Sequence, residues 1–254
     1  MVRPADITGN YTTWDEAEKE STGYNAPVIL ERTKEAALKV KRGEAVYERD
    51  SVLFNEIQYS YPVLAAILWT AARYGGWLNV LDFGGSLGTS YFQNHAFLKR
   101  LPEYQWNVVE QPAYVDVGNQ YFKDEFLYFF PDVKTCIEKT NNPNVVLCSS
   151  SIQYVKYPWE TLRELAELKT VKCLIIDRTP FCEGVFTDKV FVQKVPDEIY
   201  PAAYPIWIFS KEHFIGYMNL FGFKVLAEFP ALDHLKSPVN AEWKGMIFVR
   251  ENNV

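Results

Sequence analysis

A chain of 254 residues, 48% hydrophobic and 16% aromatic, carries enough apolar side chain for one large core, the size of an ordinary α/β domain. Its formal net charge is −6, and no basic block is longer than the patch from Lys39 to Arg42, so no nucleic-acid partner is expected, because such partners require a basic footprint. The longest apolar stretch, Tyr61 to Ala72, falls short of the roughly 20 residues that cross a bilayer, and no membrane span is expected.

The first twenty residues lack the apolar run of a secretory signal and are acidic where a transit peptide is Arg-rich; the expectation is a cytoplasmic protein. Residues 1–58 carry helical signals without a strand cluster. In PVILERTKEAALKVKRG, Pro27 suits a first turn and Gly43 a C-terminal cap. A helical cap or lid over 1–58 is therefore expected, followed by the main domain over 59–254. From Tyr61 apolar residues recur at helical spacing and stop at Gly75-Gly76.

Strand-like runs and helical patterns then alternate. The strands are LNVLDF, YQWNVVE, FLYFF, NVVLCSS and VKCLIID, and the helices start near Ser90, Val115, Asp132 and Trp159. Five strands joined by helices imply right-handed crossovers and a parallel sheet covered on both faces. A helix from Ser210 to Phe221 leads into GFKVLAEFPAL and WKGMIFVRE, which a loop joins as an antiparallel pair. The expected fold class is α/β, a doubly wound Rossmann-like sheet of about seven strands ending in a C-terminal antiparallel hairpin.

Cys136, Cys148, Cys173 and Cys182 form no CxxC pair and, with only His95, His213 and His234, no zinc spacing; reduced, buried thiols and no metal are expected. The chemistry gathers instead at VLDFGGSLGTSYF, which places Asp82, Gly84, Gly85, Ser86 and Gly88 between the first parallel strand and the following helix. Glycines there let backbone turn tightly and approach a ligand at the strand ends. A dinucleotide site reads GxGxxG and puts a pyrophosphate on the helix N-terminus. Here a carboxylate stands two residues before the first glycine, where it repels pyrophosphate and suits the cationic amino group of S-adenosylmethionine, directly, through water or by ordering the loop. Glu110 ends the second strand, a position from which both ribose hydroxyls of an adenosine cofactor can be held.

The stretches YTTWDEA, STGY, ERDS, VLDFGGSLGTSYFQ, WNVVEQ, CSSSIQYV, LIIDRTPF and IYPAAYPIWIFS span nearly the whole chain. In them the sequence resembles a family of class I S-adenosylmethionine-dependent methyltransferases found in bacterial surface-polysaccharide (capsule and O-antigen) gene clusters. The resemblance implies a fold and a cofactor, S-adenosyl-L-methionine, and no particular substrate. It implies adenosyl contacts from Gly84 to Gly88, Glu110, Gln111, Ser149 and Ser150.

Methyl transfer from a sulfonium requires alignment of the acceptor and, for a hydroxyl, removal of a proton. The acceptor is expected beyond the carboxyl ends of the fourth and fifth strands. Asp177, His213 and Tyr154 are the candidates for catalysis, with His234 as a further possible base. Arg178 is the candidate grip for a phosphate or carboxylate, with Gln153, Tyr200, Tyr204 and Trp207 lining the acceptor. The expected acceptor is a small molecule, a sugar or a nucleotide-linked or phosphorylated glycan precursor. A nicotinamide-dependent oxidoreductase and a non-catalytic cofactor-binding partner protein are the competing readings.

Overall fold

The computed structural model describes residues 6–23, 26–184, 187–233 and 237–250. Five strands form the parallel half of the main sheet: β4 (Trp77–Phe83), β5 (Glu103–Val109), β6 (Leu127–Phe130), β7 (Val145–Ser149) and β8 (Cys173–Cys182). They lie in the order β6-β5-β4-β7-β8, all parallel. Helices α4 (Thr89–Leu98), α5 (Pro112–Tyr121), α6 (Val133–Lys139) and α7 (Pro158–Glu167) make the crossovers. Alternate strand residues separate into two cores, as a two-residue period demands. Val80, Val108, Val145 and Ile175 pack with α3 (Tyr61–Arg73) and α4 on one face. Leu81, Val109, Val146 and Leu174 pack with α7 and α8 (Lys211–Leu220) on the other.

The local signals act where the sequence places them. Helix α3 carries a proline in its first turn and is followed by Gly75 and Gly76 at φ 72° and 88°. Helix α2 (Pro27–Lys41) starts on Pro27 and is followed by Gly43 at φ 73°. Asp132 caps α6, accepting from the Thr135 amide at 2.6 Å. At the end of the chain β11 (Phe223–Pro230) pairs antiparallel with β12 (Glu242–Arg250), and β12 lies antiparallel on β8. No helix among the described residues is long and apolar enough to cross a membrane.

Two features differ from the sequence expectation. Among the described residues the main sheet has ten strands, because β1 (Asp6–Tyr11), β9 (Lys189–Lys194) and β10 (Ala203–Ser210) extend it in the order β1-β9-β10-β8. The run containing Tyr200, Tyr204 and Trp207 is thus partly strand, and Tyr204 and Trp207 face Gln193 and Val190 across the β9–β10 ladder. Residues 1–58 are correspondingly not only helical. Strand β1 is an edge of the main sheet, and β2 (Tyr47–Arg49) and β3 (Val52–Phe54) form a separate hairpin. Helix α1 (Trp14–Lys19) is fixed by a capping box: the Glu16 amide donates to Thr13 Oγ1 at 3.3 Å, and the Thr13 amide donates to Glu16 Oε2 at 3.2 Å.

Candidate active site

The carboxyl end of β4 opens into the glycine loop. Gly84 stands at φ 70°, its amide donates to the Val109 carbonyl at 2.9 Å, and a Cβ there would collide with Ser151. A Cβ on Gly85 would come within 2.5 Å of the Asp82 carboxyl. Both positions therefore require glycine, one for its dihedral and one for space. Ser86 follows at φ 55°, and Gly88 at φ 92° is the N-cap of α4 and packs toward Leu127.

Two cavities meet over this loop and share Gly84, Glu110 and Ser150. The larger, about 330 Å3, is walled by Phe83, Val109, Pro112, Pro131 and Val155, with Gln111, Ser151 and Tyr154 at its edge. The smaller, about 60 Å3, runs over Gly85, Ser86, Thr89 and Ser90 to Ser149, Asp177 and Arg178. Its remaining walls include Ile29 and Thr33 of α2, Tyr47, Arg49 and Asp50 of the hairpin, Tyr114 and Tyr200. One end of the space is thus apolar and the other crowded with polar groups.

Glu110 occupies the junction. Its Oε2 accepts from the Gln111 amide at 2.5 Å, and burial pushes its carboxyl up to about 7. Hydroxyl donors from a ligand would favour its ionised form. Asp82 lies behind the glycine loop. It is 1% exposed, lies beneath Gly85, accepts from Trp106 Nε1 at 2.9 Å and is not among the residues lining either cavity. Burial raises its carboxyl to about 7. Direct pairing with a cofactor ammonium is accordingly replaced by support of the loop from below.

Asp177 lines the smaller cavity. Ser149 Oγ donates to its Oδ2 at 3.2 Å, and burial, opposed by the Arg178 charge, leaves its carboxyl raised to about 6. Arg178 adopts φ 55°, a left-handed conformation unfavourable for a non-glycine residue. Its Nε donates to Asp233 and its Nη2 to Asp50, with the side chain 11% exposed. The expectation of a guanidinium available to an anionic acceptor is overturned by this pairing, since two protein carboxylates already neutralise the charge. The Gln153 side chain, fully buried, donates to the Arg178 carbonyl at 3.0 Å and accepts from Thr179 at 3.3 Å. It braces that strained turn and lies outside both cavities.

The other sequence candidates divide. Tyr200 lines the smaller cavity and Tyr154 the larger, the Tyr154 hydroxyl donating to Gln193 at 2.9 Å. Tyr204 is buried edge-on against Tyr154, and Trp207 stacks on Trp14 while donating to the Val155 carbonyl at 3.1 Å; neither lines these cavities. His213 is a correction. Its side chain is 53% exposed, pairs with Asp188 at 2.7 Å and packs on Trp159, apart from the cavities. His95 packs on Tyr91 within α4. His234 lies outside the described residues.

The roof contributes what the sequence reading assigned to no role. In β2–β3, Arg49 pairs with Val52, so Asp50 and Ser51 form a two-residue turn with φ 52° and 68°. These values fit a type I′ turn, which ordinarily takes Asn and Gly. The ERDS segment is this hairpin tip.

No protein-family model and no curated protein matches the sequence. Solved structures match the fold. An S-adenosylmethionine-dependent methyltransferase from Clostridium acetobutylicum ATCC 824 is 11% identical with a TM-score of 0.50, the match covering 86% of this chain and 98% of that one. The N-terminal domain of EvdMO1, crystallised in the presence of SAH and D-fucose, is 16% identical with a TM-score of 0.52, covering 90% and 97%. The fold is thus the Rossmann-like methyltransferase fold, with a largely parallel sheet completed by an antiparallel hairpin.

Proposed function

We propose that this protein transfers a methyl group from S-adenosylmethionine to a hydroxyl or similar nucleophile on a small, neutral polar acceptor, a sugar or other glycan precursor. The observation that carries the reading is the pair of joined cavities, apolar at one end and polar at the other, meeting at Gly84, Glu110 and Ser150. The residues fit the cofactor. Gly84 and Gly85 bring loop backbone to the cavity wall, Glu110 at the junction would accept from ribose hydroxyls, and the walls of Phe83, Val109 and Pro131 suit a planar base.

When bound, the cofactor supplies an electrophilic methyl on a sulfonium. Asp177 then accepts the proton of the acceptor hydroxyl, and a carboxyl raised to about 6 is ionised near neutral pH while remaining basic enough for that role. Arg178, fixed by Asp50 and Asp233, holds the wall of the acceptor end. That pairing supports a neutral acceptor over an anionic one. D-fucose in the EvdMO1 structure supports a sugar.

Thermal stabilisation tests the cofactor half, since a ligand that binds only the folded state raises its stability. S-adenosylhomocysteine should raise Tm where nicotinamide nucleotides do not; the reverse result would establish the oxidoreductase instead. Methyl transfer to neutral rather than phosphorylated sugars tests the acceptor half.

A further inference from the structure

We infer that Arg49 binds the carboxylate of the cofactor's amino-acid end; the inference rests on the cofactor proposed above. Arg49 ends β2 and lines the smaller cavity. Its Nη1 is buried with no hydrogen-bond partner, and its Nη2 stands 3.8 Å from Asp233 Oδ1. The guanidinium lies over the Phe54 ring, 5.2 Å from its centroid, which orients the plane without using the in-plane donors. A buried N–H of a guanidinium left without an acceptor is costly, and an arriving carboxylate satisfies it with a charge-assisted bond.

The other cation in this cavity, Arg178, is already bonded to both Asp50 and Asp233. Position also favours the amino-acid end. Strand β2 is seated on the start of α4, with Gln93 donating to the Tyr47 hydroxyl at 3.2 Å and Thr89 donating to Glu48. The N-cap of α4, Gly88, makes no side-chain cap bond, and a helix N-terminus adds favourable potential for an anion. With adenosine extending from the shared Gly84–Glu110–Ser150 junction into the apolar cavity, the remainder of the cofactor runs over Gly85 and Ser86 toward Arg49.

Calorimetry with two probes tests this. S-adenosylhomocysteine carries the amino-acid end, and 5′-methylthioadenosine keeps the nucleoside and thioether but lacks it. Arg49→Ala should weaken S-adenosylhomocysteine by about tenfold to a hundredfold and leave methylthioadenosine within about twofold of wild type. Arg49→Gln, which removes the charge and keeps an amide donor, should fall between and serves if the alanine variant does not fold. Unchanged S-adenosylhomocysteine affinity, or equal loss for both probes, overturns the assignment. A wild type that binds neither probe overturns the cofactor reading itself, a separate result from failure of Arg49 alone.

Discussion

The floor and the roof of the smaller cavity are held in place by different forces. Below, the chain is positioned by the sheet: Gly84 bonds to the Val109 backbone, Ser150 to the Asp177 backbone at 2.9 Å, and Glu110 to the Phe130 backbone at 3.0 Å. Above, the β2–β3 hairpin is fixed by side chains. Asp50 reaches Arg178 across 128 residues of sequence, and Thr33 and Ser51 share a hydroxyl contact at 3.0 Å. Backbone ladders are insensitive to most single substitutions, whereas an ion pair is lost with either partner. The floor is accordingly formed whether or not the roof is seated.

Asp177→Asn attacks the chemistry of the floor and should have the largest effect, a fall in turnover of about 10²–10⁴, with S-adenosylhomocysteine affinity unchanged. In the wild type the rate should rise with pH through about 6, as the raised Asp177 carboxyl loses its proton. A pH–rate profile of the variant that retains this acid limb would remove Asp177 as the base.

Arg178→Ala breaks the roof. It removes the guanidinium from Asp50, whose side chain is 56% exposed, and from the largely buried Asp233, which keeps Arg49 at 3.8 Å. The roughly 3–5 kcal/mol cost of breaking a buried pair is discounted for the exposure of Asp50 and for the Arg49 that still faces Asp233, giving about 2 kcal/mol, a Tm drop of about 4–8 °C. Chemical denaturation measures it directly. An unchanged midpoint would show that other contacts seat the hairpin.

Glu110→Ala sharpens the floor side of the comparison with a smaller change: a loss of about 1.5–3 kcal/mol in S-adenosylhomocysteine binding, tenfold to a hundredfold in Kd. Glu110→Gln should cost less, and thermal stability should not fall, since removing a carboxyl that burial already holds near 7 relieves desolvation. Equal affinity of the wild type for a 2′-deoxy analogue would refute the ribose contact.

The floor was legible because its signals are local. Apolar alternation marks β4 to β8, glycines mark the turn after β4, and Glu110 falls at a strand end by counting. Which way a strand-end side chain turns is a different matter. Asp82 bonds Trp106 on the neighbouring strand, a relation that only sheet register creates. His213 lies on α8 with its ring toward Asp188, which precedes β9 in the chain. The roof was not legible for two reasons. The β2–β3 turn is made by Asp50 and Ser51 without glycine or asparagine, so the usual turn signal is missing. Its partners, Arg178 and Asp233, are distant in sequence. Strands β9 and β10 are masked in the sequence because prolines at 196, 201 and 205 punctuate the run and read as loop, and β1 becomes a strand only by pairing with the distant β9.

The pairing of β1 with β9 joins Asp6 to Lys194 and Tyr11 to Val190, the two ends of a long wait during synthesis. At about 5–20 residues per second, a ribosome takes roughly 10–40 s to deliver the partner of the first strand. Helices α1 and α2 and the hairpin tip emerge within that interval, before Arg178 and then Asp233 exist to receive them. The segment that closes the cavity is therefore made before the sheet it covers and docks after it, and the nascent glycine loop is assembled while still open to its ligand.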